Sequence, residues 1–572
     1  MSERKRASRL RLLLLLVSLA SVPVTPAADA AAPVSRSQNL TLNLIRRLVQ
    51  RGVLPQSDAD DLIRLAEEDT AAAKAGAAAA PAVLAATPPP AAGETVRVTY
   101  VPEFLKKQMR EEVKQDVLAQ ARAERWAAPR SFPEWVSRYT LFGDLRLRGE
   151  GLFYPAGNDN TGAFPNFNAI NAGSPFDVAG TVFSPQNNVD RDRQRERIRV
   201  RLGADIDLGE GYTVGVRLAT GENNSPVTTN QSLGASGGFN KYAVWLDRAF
   251  VKYHAGNLTV TAGRFDNPFF ATPMIFDDDL GFDGLAAAAK FARGDNLKPF
   301  ATLGAFPVFN SSLNFSSIQP AKFKSQDKYL LGGQVGSDVQ LTKDLSAKVG
   351  AAYYYYQNIA GKLSSPFTPV NGLDNGDTDE TRPAFAQTGN TYFPLRNIVP
   401  NVLNNFGTIN QFQYFGLATP FREVALSGRI DYNRLEPVQL SLLGEWVNNL
   451  AYHRGAIRKV AVNNLGAGGA GDFVGGQNGW NFEFKVGSIA MTQRGDWSVS
   501  LGYRYLESDA VVDGFTDSDF GNGGTNLEGF TLGGAYALSH RTWVALRWLS
   551  TSNIAGPRYR NDILQFDFNG KF

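Results

Sequence analysis

The chain contains no cysteine, and only three histidines and four methionines among 572 residues. Without thiols there are no disulfides, no Cys-based zinc sites and no cysteine nucleophile. Beyond the extreme N-terminus no apolar run approaches the roughly eighteen residues that a spanning helix needs, so a helical membrane protein is excluded. Charge of one sign is also missing. The 58 basic and 55 acidic residues leave a net +3, and the basic residues are dispersed, which argues against a nucleic-acid partner. His254, His453 and His540 stand far apart in sequence, so no metal cluster or catalytic triad is supported. No catalytic residue, metal site or cofactor is assigned.

Alternation is what the chain has instead. From Leu564 to Phe572 apolar groups, Gly570 excepted, occupy the even positions and polar groups the odd. Successive side chains of a strand point to opposite faces, so one face is continuously apolar up to an aromatic C-terminus. Trp497, Val499, Leu501, Tyr503 and Tyr505 alternate with Ser498, Ser500, Gly502 and Arg504. Ile198, Val200, Leu202, Ala204 and Ile206 alternate with Arg197, Arg199, Arg201, Gly203 and Asp205. A face this charged opposite a face this apolar suits lipid outside and water inside.

The N-terminus reads differently. Arg4, Lys5, Arg6, Arg9 and Arg11 precede an apolar stretch from Leu12 to Ala20 and small residues around 28–32, the pattern of a cleaved secretory signal over 1–30. Residues 38–69 carry two short amphipathic helices, and 70–95 is an Ala/Pro tether. A charged helix within 96–135 has a narrow stripe, Leu105, Met109, Val113, Val117 and Ala121, which suits either an oligomer seam or a solvated helix at the barrel rim. Residues 136–572 read as one barrel.

About sixteen strands are predicted there, over 139–149, 197–208, 212–221, 244–254, 258–265, 284–291, 299–305, 329–342, 346–356, 422–433, 437–448, 480–491, 496–507, 528–538, 541–550 and 562–572. The sixth and seventh are Ala-rich or short, which leaves fourteen or eighteen open. Short turns such as Gly209-Glu210-Gly211 alternate with long polar loops, an asymmetry that places both barrel ends on the turn side. Tyr139, Tyr212, Tyr253, Tyr432, Trp497 and Phe572 then fall outward at one rim, and Trp245, Trp446, Phe482, Tyr503 and Trp548 at the other. The fold class is an all-β transmembrane, closed antiparallel up-and-down barrel with a small N-terminal helical periplasmic segment.

The sharpest local feature is Arg191, Arg193, Arg195, Arg197, Arg199 and Arg201, spaced by two and so expected on one face about 6.6 Å apart. With Arg146 and Arg148 on the neighbouring strand they form a basic ladder, tolerable if hydrated and screened. Further lumen candidates are Arg217, Arg248, Arg429, Arg504 and Arg547. Opposite charge is offered by Asp277, Asp278, Asp279 and Asp283 in the third long loop. Facing the arginines, they would set a transverse field across an eyelet.

The run Leu258 to Arg264 with Asn267-Pro268-Phe269 resembles porins generally. The segment Val96 to Glu103, then Pro133-Glu134-Trp135 and Gly143-Asp144-Leu145-Arg146-Leu147-Arg148, resembles the proteobacterial "putative porin" family. The resemblance spans the N-terminal segment and the barrel. It implies a channel in the outer membrane of a Gram-negative bacterium, with the third loop as its constriction. It also implies assembly machinery that reads a C-terminal strand ending in Phe572, and analogy with other sixteen-stranded porins points to a homotrimer. Partners would be outer-membrane lipid and small hydrophilic solutes.

Gly234-Ala235-Ser236-Gly237-Gly238 matches a nucleophile elbow but has no helix after it, and Gly466 to Gly471 matches a dinucleotide pattern without βαβ context. Both read as loop glycines. The acidic run Asp374 to Glu380 departs from an EF-hand and reads as a solvated loop. The expected function is therefore not enzymatic. It is passive diffusion of small hydrophilic solutes and ions through a water-filled pore. The alternatives are a substrate-selective, anion-favouring channel, or a structural barrel tethering envelope layers.

Overall fold

The computed structural model describes residues 134–572 except 181–183, 236, 295 and 312–321. The signal over 1–30, the helix pair over 38–69, the tether over 70–95 and all but the last residues of the 96–135 segment lie outside the described residues. A single 3-10 turn, Glu134–Arg138, leads into the sheet.

The sixteen strands are β1 (Tyr139–Phe153), β2 (Arg193–Gly209), β3 (Tyr212–Thr220), β4 (Val244–Ala255), β5 (Leu258–Phe265), β6 (Phe282–Lys290), β7 (Leu297–Phe309), β8 (Lys328–Gln340), β9 (Leu345–Gln357), β10 (Arg422–Tyr432), β11 (Gln439–Asn449), β12 (Asn478–Gly487), β13 (Trp497–Leu506), β14 (Leu527–Ala537), β15 (Thr542–Asn553) and β16 (Arg560–Lys571). Each pairs antiparallel with its neighbours, and β1 pairs with both β2 and β16. The sheet closes. Closure leaves no edge of unpaired backbone groups, the condition for a sheet to cross hydrocarbon. At the seam Phe572 and Gly143 exchange backbone hydrogen bonds of 3.0 and 2.9 Å. The Phe572 ring covers Gly143 so closely that a Cβ there would meet it at 2.5 Å.

Sixteen wall-spanning strands are thus observed among the described residues, including the Ala-rich β6 and the seventh, which is longer than expected. The connection lengths do not alternate strictly, however. The turn 488–496 is longer than the loop 554–559, because β12 stops at Gly487, whose φ of 115° ends the ladder. In the two-residue turn after β2, Gly211 has φ 85°, and a Cβ would fall 2.2 Å from the His254 carbonyl oxygen.

Exposure runs opposite to that of a water-soluble protein. Val499 and Leu501 are 47% and 48% exposed on the outer face, whereas Ser498 is 6% exposed on the inner one. Tyr139, Tyr212, Tyr253, Trp497 and Phe572 are exposed at the turn end, and Trp446, Phe482 and Trp548 toward the loop end. Trp245 is a correction. A β-bulge between Arg217 and Leu218 shifts the register, so Trp245 pairs with buried Ala219 and shares its inner face. The same bulge turns consecutive Asp247 and Arg248 both inward, at 7% and 1% exposure.

The interior holds an apolar core built from loops. Phe269, Met274, Ile275 and Phe276 from residues 266–281 pack with Phe415, Leu417 and Phe421 from 358–421 and with Val511 and Val512 from 507–526. Inward Phe282, Phe306 and Tyr354 of the wall complete it. The acidic stretch of the fifth loop is not solvated as expected. Asp374 and Asp379 are buried; Asp374 accepts the Val370 N–H at 2.8 Å, and Asp379 pairs with Arg396.

Candidate functional site

Residues 266–281, the third long loop, cross the barrel interior. At one end the Phe270 N–H donates to Gln334 Oε1 and Gln334 Nε2 donates to the Phe270 carbonyl, both at 2.8 Å, fixing the loop to β8. Next, the Thr272 N–H and Oγ1 donate to Glu445 of β11, and Asn481 of β12 donates to Thr272 Oγ1. At the other end Asp279 reaches Arg201 at 3.1 Å and Arg199 at 3.6 Å on β2, across the ring from β11. The seventh loop, residues 507–526, lies alongside. The Asp517 N–H donates to the Pro273 carbonyl and the Asp277 N–H to the Phe515 carbonyl, each at 2.8 Å.

Together the two loops present acids to a wall of arginines. On β1 and β2, Arg146 stands directly opposite Arg199, and Arg148 opposite Arg197. Like charges so placed destabilise a sheet, and at these burials water screens them poorly. Carboxylates offset them. Asp144 holds Arg199 at 3.0 Å and Arg201 at 2.7 Å. Arg148, its side chain 3% exposed, is shared by Asp567 at 2.7 Å and Asp519 at 2.9 Å. Glu150 pairs with Arg195 and lies 3.8 Å from Arg197. From Arg195 to Arg201, with Arg148, the ladder is therefore an ion-pair network largely withdrawn from water, whereas Arg193 is exposed as the sequence suggested.

The remaining candidates sort around this network. Arg217 pairs with Asp247 at 2.6 Å and Asp266 at 3.2 Å. Arg248 binds both of those acids and donates to the carbonyls of Asp279 and Leu280, tying the third loop to β4. Arg504 meets Asp517 at 3.1 Å, and Arg547 meets Asp519. Arg429 lies apart, paired within its own strand to Asp431 at 2.9 Å.

Four placements differ from the sequence reading. Arg191 precedes β2 and is solvent-exposed beside Asp190, because β1 offers no partner beyond the pair Leu152–Arg193. Asp283 belongs to β6 rather than to the loop and pairs with Arg264 at 2.7 Å. Asp277 turns away from the arginines; its carboxylate accepts N–H groups of Asp279 at 2.7 Å and Ser518 at 2.9 Å. Asp278 is exposed and makes no ion pair among the described residues.

The loop acids are tuned in opposite directions. Burial, followed by the charges of Asp517 and Asp279, pushes Asp277 up to about 9. Burial would raise Asp279 and Asp519 too, but Arg199 and Arg201 hold the first below the usual range, and Arg148 and Arg547 hold the second well below it. Asp279 and Asp519 are therefore favoured in the charged form against the wall, while Asp277, accepting N–H groups from both loops, links them with its charge disfavoured.

Residues 38–572 match the family model described as "Putative porin". The chain belongs to that family. It is an outer-membrane channel with a β-barrel fold. Its barrel is similar to the outer-membrane channel DcaP of Acinetobacter baumannii, with 10% identity, 76% of this chain and 97% of that one covered, and a TM-score of 0.36. For OprB of Pseudomonas putida the figures are 12%, 78%, 97% and 0.40, and for the anion-selective porin from Comamonas acidovorans 12%, 76%, 99% and 0.35. No curated protein matches the sequence.

Sequence reasoning overlooked most of the porin's acids. Asp144 and Glu150 sit within the strand that carries Arg146 and Arg148, and their period-two placement was a usable signal. Asp519 and Asp517 gave none, since their role depends on the fold of a loop far along the chain. Among the described residues no cluster of metal-ligating side chains occurs, and the His254 ring meets Thr259 Oγ1 at 3.0 Å. Gly466 to Gly471 lie in a loop with a 3-10 turn, and Ser236 lies outside the described residues.

Proposed function

We propose that the porin lets small hydrophilic solutes and ions diffuse passively through a water-filled path bounded by the two crossing loops and the arginine wall. One observation supports this most: acids from residues 266–281 and 507–526 approach one side of a wall whose other members are arginines on β1, β2, β13 and β15. That arrangement makes a field across the path, which orients dipolar solutes and disfavours apolar ones. Single-channel recording in planar bilayers tests it. Ohmic conductance that scales linearly with salt is expected; absence of channels from the folded protein overturns the reading.

A second reading, an anion-favouring channel, draws on the surplus of arginine. Arg146 donates to the Asn230 amide oxygen and has no carboxylate within 4 Å among the described residues, and the Nε atoms of Arg146 and Arg197 are buried without a partner. Reversal potentials in a salt gradient separate the two readings. As further parts of the proposal, residues 1–30 are a cleaved signal, residues 38–135 lie in the periplasm, and the porin assembles as a homotrimer. Cross-linking in intact envelopes checks the last.

A further inference from the structure

The outer wall between β6 and β10 is not a smooth apolar belt. Two cross-strand rows share its membrane-facing side. In the row nearer the loop end, Leu285, Ala305, Leu331, Tyr355 and Arg422 are successive register partners. In the row below it Ala287, Leu303, Gly333 and Tyr353 follow one another. Small and large residues are thus staggered, and Ala287, Ala305 and Gly333 leave a floor between raised side chains. The result is a concavity of about 660 Å³ whose walls are almost wholly apolar. Leu303 and Leu331, at 66% and 43% exposure, form its flanks.

Its loop-side end carries a cation. Arg422 opens β10 and lies over the Tyr355 ring, 5.5 Å from the centroid. Among the described residues no carboxylate lies within 4 Å of its guanidinium, unlike the inward arginines of the lumen, each of which but Arg146 and Arg193 has an acid partner. A guanidinium held by an aromatic ring at the rim of a bilayer-facing groove matches an amphiphile with a phosphate above and an acyl chain below. We propose that this groove is a binding site for one anionic, phosphate-bearing lipid, its chain lying over Ala305 and Gly333 and its phosphate on Arg422. The site is separate from the lumen, so it stands or falls independently of the conduction reading.

The test is native mass spectrometry of the full, detergent-purified porin titrated with phosphatidylglycerol and, separately, with uncharged diacylglycerol. Wild type is expected to retain one phosphatidylglycerol preferentially. Arg422→Gln should weaken that adduct about fivefold, as one arginine near a membrane surface contributes, while leaving diacylglycerol binding unchanged. Ala305→Phe, which fills the floor, should weaken both. Neither residue faces the lumen, so unchanged single-channel conductance certifies folding of both variants. Equal phosphatidylglycerol retention by wild type and Arg422→Gln overturns the proposal. So does loss of oligomer mass in Ala305→Phe without loss of lipid, which would make a second copy of the chain the occupant.

Discussion

Replacing Asp279 by Asn isolates the electrostatic contribution of the third loop. The substitution keeps an oxygen for the Thr229 N–H and Oγ1, which both donate to Asp279 Oδ2 at 3.2 Å, but removes the charge that meets Arg201 and Arg199. Asp144 still holds both arginines, so the wall keeps its shape. A permeant ion passing at about 8 Å feels one unit charge as roughly 0.5 kcal/mol at the dielectric constant of water. The sign is opposite for anion and cation, so their relative permeability changes by about 1 kcal/mol before screening. A Debye length of about 10 Å in 0.1 M salt reduces this to about 0.45 kcal/mol, or roughly a twofold rise in anion over cation permeability. In 1 M salt, with a Debye length of about 3 Å, the change should fall to about 13 per cent. Reversal potentials across a bilayer in a KCl gradient read the ratio directly. An unchanged ratio at low salt refutes the placement of Asp279 at the ion path, and an equal change at both salts refutes the electrostatic mechanism.

Asp277 makes the link between loops pH-dependent. Its folded pKa of about 9 lies above the ordinary 3.8, so the folded protein holds a proton that the unfolded chain releases, and this contribution is full below about pH 4 and is lost as pH rises toward 9. Gating noise in single-channel records should increase above about pH 9 and lose that dependence in Asp277→Asn. Glu445→Leu removes the acceptor of three hydrogen bonds, from the Thr272 N–H, Thr272 Oγ1 and Ser427 Oγ, and should free the third loop at a cost of about 3 kcal/mol. Its conductance should exceed wild type and the loop should become protease-sensitive. Arg148→Gln strands Asp567 in a buried site and leaves Asp519 to Arg547 alone, and should cost about 3–5 kcal/mol, read as a lower temperature for loss of the compact band in semi-native electrophoresis. Because the chain lacks cysteine, single cysteines at Val499 and Ser498 can carry fluorophores; lipid quenchers should act on the first only.

Much of the barrel was legible because its rules are local. A period of two needs only neighbours in sequence, and so the strands around Leu501 and Leu202 announced which face meets lipid. Trp245 marks the limit of that rule. One extra residue in β4 reverses the parity between Arg248 and Trp245, and nothing in Val244 to Arg248 signals it except an Asp next to an Arg, both of which need the polar side. Arg191 shows a second limit, since a pattern can outrun the strand when the partner ends first. The loop acids show a third. Asp279 was recognised by its charge, yet Asp277, two residues away, serves the neighbouring loop instead, a division decided by the fold of residues 507–526. The filling of the interior was not legible at all, because Phe276, Phe415 and Val512 become neighbours only after closure.

The charge network also explains why loops so long can hold positions inside a barrel. The arginines of β1 and β2 cannot face one another unless acids intervene, and the wall supplies only part of that need through Asp144, Glu150 and Asp567. Asp279 and Asp519 supply the rest from the third and seventh loops, and each meets an arginine that a wall acid also holds: Arg201 with Asp144, and Arg148 with Asp567. Wall acids thus hold the guanidinium planes independently of the loops, which lowers the entropy lost in pairing them with a loop carboxylate. The apolar contacts beneath give cohesion without direction, whereas the ion pairs fix which loop residue meets which strand. The carboxylates that place the loops are consequently the same groups that set the charge facing the arginine wall.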